Sequence, residues 1–227
     1  MKSFILKDYD LTHTVISELF RKTEYPHQTL SVLSENIISL GKKLPTDIFY
    51  SPKENIWIAK SATIAESALI NAPCIIDENA DIRHCAYIRG SVIVGKKTVV
   101  GNSTELKNCV LFDNVQVPHY NYVGDSVLGY RAHLGAGAIL SNVKGDRSSI
   151  AIDYGKEKIE SNLTKLGAMI GNNVEIGCGA VLNPGTVVSN CSRIYPLSSV
   201  RGYIPENCIY KGRNEIVDIN TKQLRSE

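Results

Sequence analysis

The sequence predicts an all-β solenoid with three short faces to each turn, and three observations predict it. Between Ile56 and Lys107 every sixth residue is aliphatic: Ile58, Ile64, Ile70, Ile76, Ile82, Ile88, Val94, Val100 and Leu106. If aliphatics fill about a third of such a stretch, this many successive hits have a chance probability on the order of 0.0001. Two residues ahead of these positions stand small or β-branched residues, among them Ala62, Ala68, Cys74, Ala80, Ala86, Val92, Thr98 and Thr104. Composition agrees, because 25 Ile and 18 Val against 4 Phe and 1 Trp describe a β-rich, ring-poor chain.

A period of six fits neither a helix, at about 3.6, nor a lone strand, at about 2. It fits a coil of about 18 residues in which each hexapeptide is one face, with the aliphatic inside and the small residue at a tight corner. Glycine directly after the aliphatic, as at Gly95, Gly101, Gly129, Gly135, Gly171 and Gly177, is expected to supply the backbone angles of a sharp turn. The register shifts once beyond Leu106 and resumes at Tyr122, Leu128, Leu134 and Leu140, which gives Tyr122 an inward slot. After a long insertion it returns at Ile170, Ile176, Leu182, Val188, Ile194 and Val200.

Residues 1–45 follow a different rule. Asp10 is placed to cap a helix carrying Val15, Ile16, Leu19 and Phe20, and Leu30, Leu33, Ile37 and Leu40 form a second stripe closed by Gly41 and Pro45. A small helical cap over the first coil is expected, since solenoid ends need covering. The solenoid then occupies 46–213, with a protruding loop at 143–169 that either serves function or returns as a packed hairpin, and a tail at 214–227.

Whole-chain charge is +2, which supplies no broad attraction to nucleic acid or to a membrane surface. No apolar run approaches the ~18 residues of a membrane span, and the opening Met1–Asp8 does not resemble a secretory leader, so a cytoplasmic location is expected. Cys74, Cys85, Cys109, Cys178, Cys191 and Cys208 lack CxxC or Cys/His ligand spacing, which predicts reduced, packed thiols and no metal site.

The run from Arg89, IRGSVIVGKKTVVGNSTELKN, through VPHYNYVGDSVLGYRAHLGAGAILSNV resembles the acetyltransferase domain of bacterial N-acetylglucosamine-1-phosphate uridyltransferases. It is still more similar to the C-terminal β-helix of sugar-1-phosphate nucleotidylyltransferases, where NLTKLGAMIGNNVEIGCGAVLNPGTVV and IYPLSSVRGYIPENCIYKG have counterparts. The resemblance spans about residues 50 to 213 and implies a left-handed parallel β-helix of hexapeptide repeats. It implies acetyl transfer from acetyl-CoA, the donor substrate, to the amine of an amino-sugar 1-phosphate. A homotrimer with sites between subunits is also implied, the loop of one reaching the next.

Under that resemblance His119 matches the catalytic base, Arg89 and Lys107 the phosphate-binding cations, and Tyr122 and Asn142 the sugar contacts. The chemistry suits these types: imidazole accepts a proton near neutral pH, Arg offers a fork to phosphate oxygens and Lys a point charge. Ala136 and Gly137, within a Gly-Ala-Gly turn, are expected to meet the acyl donor and offer amide N–H groups to the thioester oxygen. Arg89 and Lys107 are 18 residues apart, which stacks them on one corner of successive coils. His133 stands where the relatives carry a second sugar-binding Asn. Ser148 replaces their lysine, with Lys144 and Arg147 nearby. The first 50 residues hold no Gly-rich phosphate loop, so nucleotidyl transfer is not expected of them. The alternative is a non-catalytic sugar-phosphate or sugar-nucleotide binding trimer that partners a separate nucleotidylyltransferase.

Overall fold

The computed structural model describes residues 8–155, 157–213 and 215–219. Seven of the eight residues of the leader argument, 1–7, and the end of the tail therefore lie outside the described residues. Phe49–Lys53 pairs antiparallel with Ile56–Ala59, and from Ile56 the chain winds as a left-handed parallel β-helix. Each coil lays one short strand on each of three faces. The first face receives Ile56–Ala59, Cys74–Ile76, Val92–Val94 and Cys109–Leu111; the second receives Thr63–Ile64, Asp81–Ile82, Val99–Asn102 and Gln116–His119; the third receives Leu69–Ile70, Tyr87–Ile88, Glu105–Lys107 and Tyr122–Gly124. Strands one coil apart pair in parallel, as Ile88 does with Leu106 and Ile170 with Val188.

The hexad aliphatics fill the bore. Ile76, Ile82, Ile88, Val94, Val100 and Leu106 are fully buried, each worth roughly 1.5–3 kcal/mol of transfer from water. The corner residues two positions earlier pack beside them, and where they are hydroxylic their polar atoms are satisfied. Thr98 Oγ1 donates to the Phe112 carbonyl at 2.8 Å, and Thr104 Oγ1 donates to that of Val117 at 3.0 Å.

The register differs from the single shift expected. Val94 pairs with Leu111, Leu106 with Val123, and Val123 with Leu140, each 17 residues apart, so one residue is dropped between Leu106 and Leu111 and another between Val123 and Leu128. The inward residue is consequently Val123, fully buried, and Tyr122 turns its half-buried side chain outward. A period-2 strand inverts its faces on a one-residue slip.

The glycine argument also changes. Gly95, Gly101, Gly129, Gly135, Gly171 and Gly177 do not have positive φ; that conformation falls two residues later, at Lys97, Ser103, Arg131, Gly137, Asn173 and Gly179. What requires glycine at the earlier slot is the next coil: a Cβ on Gly101 would lie 1.6 Å from the Pro118 carbonyl oxygen, and one on Gly177 would lie 2.4 Å from Pro196 N.

The N-terminal helices Ser17–Arg21 (α1), Gln28–Ser31 (α2) and Leu33–Gly41 (α3) lie along the first face instead of across the first coil. Asp10 caps the 3-10 turn Leu11–His13 through Thr12 N. Asn172 N donates to the Asp8 carbonyl and Asp113 N to that of His13, while α3 packs on Cys74–Ile76 and Val92–Val94. The reason is the strand composition. Ile75, Ile93 and Val110 are outward-facing yet fully buried, so first-face strands read as unbroken apolar triplets, the mark of a sheet covered on both sides. Of the two readings of the insertion, the packed hairpin is the one the structure has. Its strands Ala151–Asp153 and Lys158–Glu160 form a hairpin folded onto the same flank, with Ile150, Ile152 and Leu166 fully buried. Tyr154 stacks on Tyr25, and its hydroxyl lies 3.3 Å from His27 Nδ1. Burial lowers the His27 pKa to about 4, leaving a neutral ring at neutral pH.

Two expectations follow. Gly101→Ala should lower the urea midpoint by more than Gly137→Ala, which costs about 1–2 kcal/mol for its left-handed backbone but meets no atom within 4 Å; equal losses would refute the close-approach account. Asp8, which accepts from Ser189 Oγ at 3.0 Å, is pushed up to about 6 chiefly by burial. The folded chain thus keeps this proton longer than the unfolded chain, and stability should decline as pH rises from about 4 to about 6. Midpoints measured across that window should show a shallower decline in Asp8→Asn.

Candidate active site

Five of the residues singled out from sequence lie on or beside the third face. Tyr122 opens its strand there, and Arg89, Lys107 and Asn142 stand where successive coils leave that face for the first. His119 stands at the opposite corner, where the second face passes into the third, three residues before Tyr122. At an extended rise of at most about 3.6 Å per residue, the two Cα atoms are within about 11 Å.

The exit corner is organised by a residue that sequence reasoning left without a role. Asp125, 4% exposed, accepts from Lys107 Nζ at 3.2 Å, from Asn108 Nδ2 at 2.8 Å and from Asn142 Nδ2 through a short bond. Asn142 is also hydrogen-bonded to the Tyr122 hydroxyl. Burial, then the charges of Asp125 and Glu105, pushes the Tyr122 phenol above its ordinary range, so it remains a hydroxyl. Arg89 Nη1 donates to Glu105 Oε1 at 2.8 Å, which holds the guanidinium in its charged form. A signal for Asp125 exists in the sequence: it lies 18 residues beyond Lys107, where an unbroken repeat would stack it, although the dropped residue pairs Lys107 with Gly124 and leaves Asp125 one position further on.

Each cation therefore already has a carboxylate partner. Arg keeps donors beyond the one spent on Glu105, and the Lys107 ammonium carries three. An anion arriving at this corner meets a cluster that is close to neutral in sum and rich in directional donors.

His119 is exposed, with its ring 6.2 Å from that of Tyr120. Its backbone N–H donates to Asn121 Oδ1 at 3.1 Å, and its carbonyl accepts from Gly137 N at 2.9 Å. Among the described residues neither ring nitrogen is hydrogen-bonded, so the imidazole is open to a substrate. The same bonds alter the reading of the Gly-Ala-Gly turn. Gly135 N is spent on the Ile176 carbonyl and Gly137 N on that of His119, which leaves Ala136 as the amide of the turn not engaged by a neighbouring coil among the described residues.

His133 is not brought to the exit corner. It faces outward on the second face, and its Nδ1 lies 2.7 Å from Glu175 Oε2. Lys144 turns its ammonium onto the loop's own Ser149 carbonyl and Ser148 hydroxyl. It lines a cavity of about 270 Å³ with Asn183 and Arg201 that continues the exit corner beyond Asn142.

Comparison with known proteins finds matches to part of this chain. Residues 70–154 match the family described as GMPPB C-terminal domain. A bifunctional sugar-1-phosphate nucleotidylyltransferase/acetyltransferase of Sulfurisphaera tokodaii is 35% identical over 94 residues, 41% of this chain and 23% of that protein. The bifunctional protein GlmU of Methanococcus aeolicus is 31% identical over 121 residues, 53% of this chain and 29% of that protein. This chain thus spans less than a third of the length of these relatives. Among solved structures, the UDP-N-acetylglucosamine acyltransferase of Francisella novicida is 15% identical with a TM-score of 0.43, over 74% of this chain and 72% of that one.

Replacing Asp125 by Ala strands a part-buried ammonium and two amides. A loss of about 3 kcal/mol is expected in chemical denaturation, and a smaller one for the exposed Arg89→Ala. Equal small losses would show that Asp125 does not organise the corner.

Proposed function

From the hexapeptide-repeat left-handed β-helix as premise, we propose that this chain transfers an acetyl group from acetyl-CoA to the amine of an amino-sugar 1-phosphate. The observation that carries the reading is the conjunction of an open imidazole with a donor-lined corner at the two ends of one short strand. The partial match to bifunctional nucleotidylyltransferase/acetyltransferase relatives supports it.

In this reading the phosphate takes the remaining donors of Arg89 and Lys107, and the sugar hydroxyls meet Tyr122 and Asn142. His119 accepts a proton from the attacking amine as nitrogen adds to the thioester carbonyl. The carbon–sulfur bond then breaks, the CoA sulfur leaves and is protonated, and the Ala136 amide faces the developing oxyanion. General-base assistance of this kind contributes typically ~10²–10⁴-fold, and holding amine and thioester together contributes up to roughly 7–11 kcal/mol.

A flat face cannot enclose both substrates, so the reading includes a neighbouring copy against the third face. Leu69, Tyr120 and Ile139 are exposed there, at 52%, 62% and 39%. Apolar surface of this kind on one side of a solenoid suits a homotrimer.

One observation favours the second reading, a binding trimer without turnover: Ser148 and His133 stand where the relatives carry a lysine and a second sugar-binding Asn, and His133 pairs with Glu175 away from the exit corner. The two readings separate in one assay. Acetyl-CoA and glucosamine 1-phosphate incubated with the pure protein should release free CoA thiol, with His119→Ala reducing the rate by ~10²-fold or more. Turnover unaffected by that substitution would remove His119 from the chemistry. Absence of turnover with every amino-sugar phosphate, together with tight sugar-nucleotide binding, would establish the second reading. A monomeric mass in solution would refute the shared site.

A further inference from the structure

The corner from the second face to the third carries a hydrogen-bonded chain that the acetyl-transfer reading does not use. His84 Nε2 lies 3.2 Å from Cys85 Sγ, and His84 Nδ1 lies 2.6 Å from Ser67 Oγ in the preceding coil. Ser67 Oγ also accepts from Cys85 N at 3.1 Å. The His84 carbonyl is held from the following coil by Asn102 Nδ2 at 3.0 Å and by Ser103 N at 3.3 Å. All three side chains are exposed.

One tautomer of this arrangement lets the imidazole work as a base toward the thiol. A serine oxygen has two lone pairs and one hydrogen. In the tautomer that carries its hydrogen on Nδ1, His84 donates to Ser67 Oγ, which also accepts from Cys85 N–H, and the unprotonated Nε2 faces the thiol. Transfer of the thiol proton to Nε2 then gives a thiolate beside an imidazolium whose two N–H groups are both satisfied. This is the arrangement of an activated cysteine, nucleophile against base against orienting group.

The packed-thiol expectation fails here on its own terms. Cys74, Cys109 and Cys208 are buried, but Cys85, Cys178 and Cys191 are exposed. Serine under a corner amide is a general device of this solenoid, since Ser61 Oγ accepts from Asn79 N at 3.1 Å in the same way. The placement of an imidazole between such a serine and a thiol distinguishes Cys85 from the other exposed cysteines.

We propose that Cys85, with His84 as its base and Ser67 as the positioning residue, is a nucleophilic thiol that is modified by exchange with low-molecular-weight disulfides. The thiolate attacks one sulfur of the incoming disulfide and forms a new S–S bond. The original S–S bond breaks, and the departing sulfur takes the proton held by His84. Cys85 is thereby oxidised to a mixed disulfide and the reagent is reduced to one thiol. At a strand spacing of about 4.8 Å, the modified corner is about 10 Å from His119, two coils along the same edge.

The test uses the full chain with oxidised glutathione at pH 7 and maps each mixed disulfide by peptide mass spectrometry over time, with Cys178 and Cys191 as internal references. Cys85 is expected to react at least ~10-fold faster than either reference. His84→Ala should bring Cys85 to the reference rate while leaving Cys178 and Cys191 unchanged. Ser67→Ala should lower the Cys85 rate, and Ser67→Thr should restore it. Unchanged circular dichroism and reference rates report that the variants are folded. Equal rates at the three thiols, or a Cys85 rate indifferent to His84→Ala, would overturn the proposal, and neither result depends on acetyl transfer.

Discussion

A bore that admits one aliphatic side chain per face is the constraint on which the rest of this molecule depends. Each inward residue packs on its counterpart one coil away, as Ile76 does on Val94 and Ile88 on Leu106. Because the inward column is continuous, every outward column is also in register. Residues 17 or 18 apart in sequence therefore become neighbours at a strand spacing of about 4.8 Å. Ion pairs such as Lys107 with Asp125, and hydrogen-bonded columns such as Ser67 with Cys85, follow from that repeat.

The three faces share a core but diverge outside it. The first face is apolar outward as well as inward, and its own N-terminal helices and inserted hairpin cover it. The second carries Asp81, His133, Glu175 and Arg193 toward solvent. The third presents Leu69, Tyr87, Tyr122 and Ile139, a mixed surface between two functional-looking corners. The chain thus closes the first face by itself and leaves the outward columns of the other two faces uncovered among the described residues.

The two dropped residues have a local consequence beyond bookkeeping of the register. They place Val123 in the bore and Asp125 at the next corner, with φ near +48°, below Asn142 and above Lys107. A buried carboxylate is tolerable only with such partners. The same carboxylate holds three side chains that would otherwise move independently. The corner is accordingly a rigid donor array, and its preorganisation is a property of the solenoid's stacking.

The sequence by itself determined the three-faced coil, the inward column and the stacking of Arg89 under Lys107, because a repeat of six is carried by every hexad and survives local exceptions. It also placed helices before residue 45, since their stripes are a local property. Only the tertiary structure decided that Val123 displaces Tyr122 from the bore, that the helices and the 143–169 insertion lie on the first face, and that Asp125 joins Lys107 to Asn142. It likewise decided that Gly101 answers to Pro118 and that His84 stands between Ser67 and Cys85. Each of these depends on which atoms meet across coils, and a one-residue change of register reverses that without altering the period.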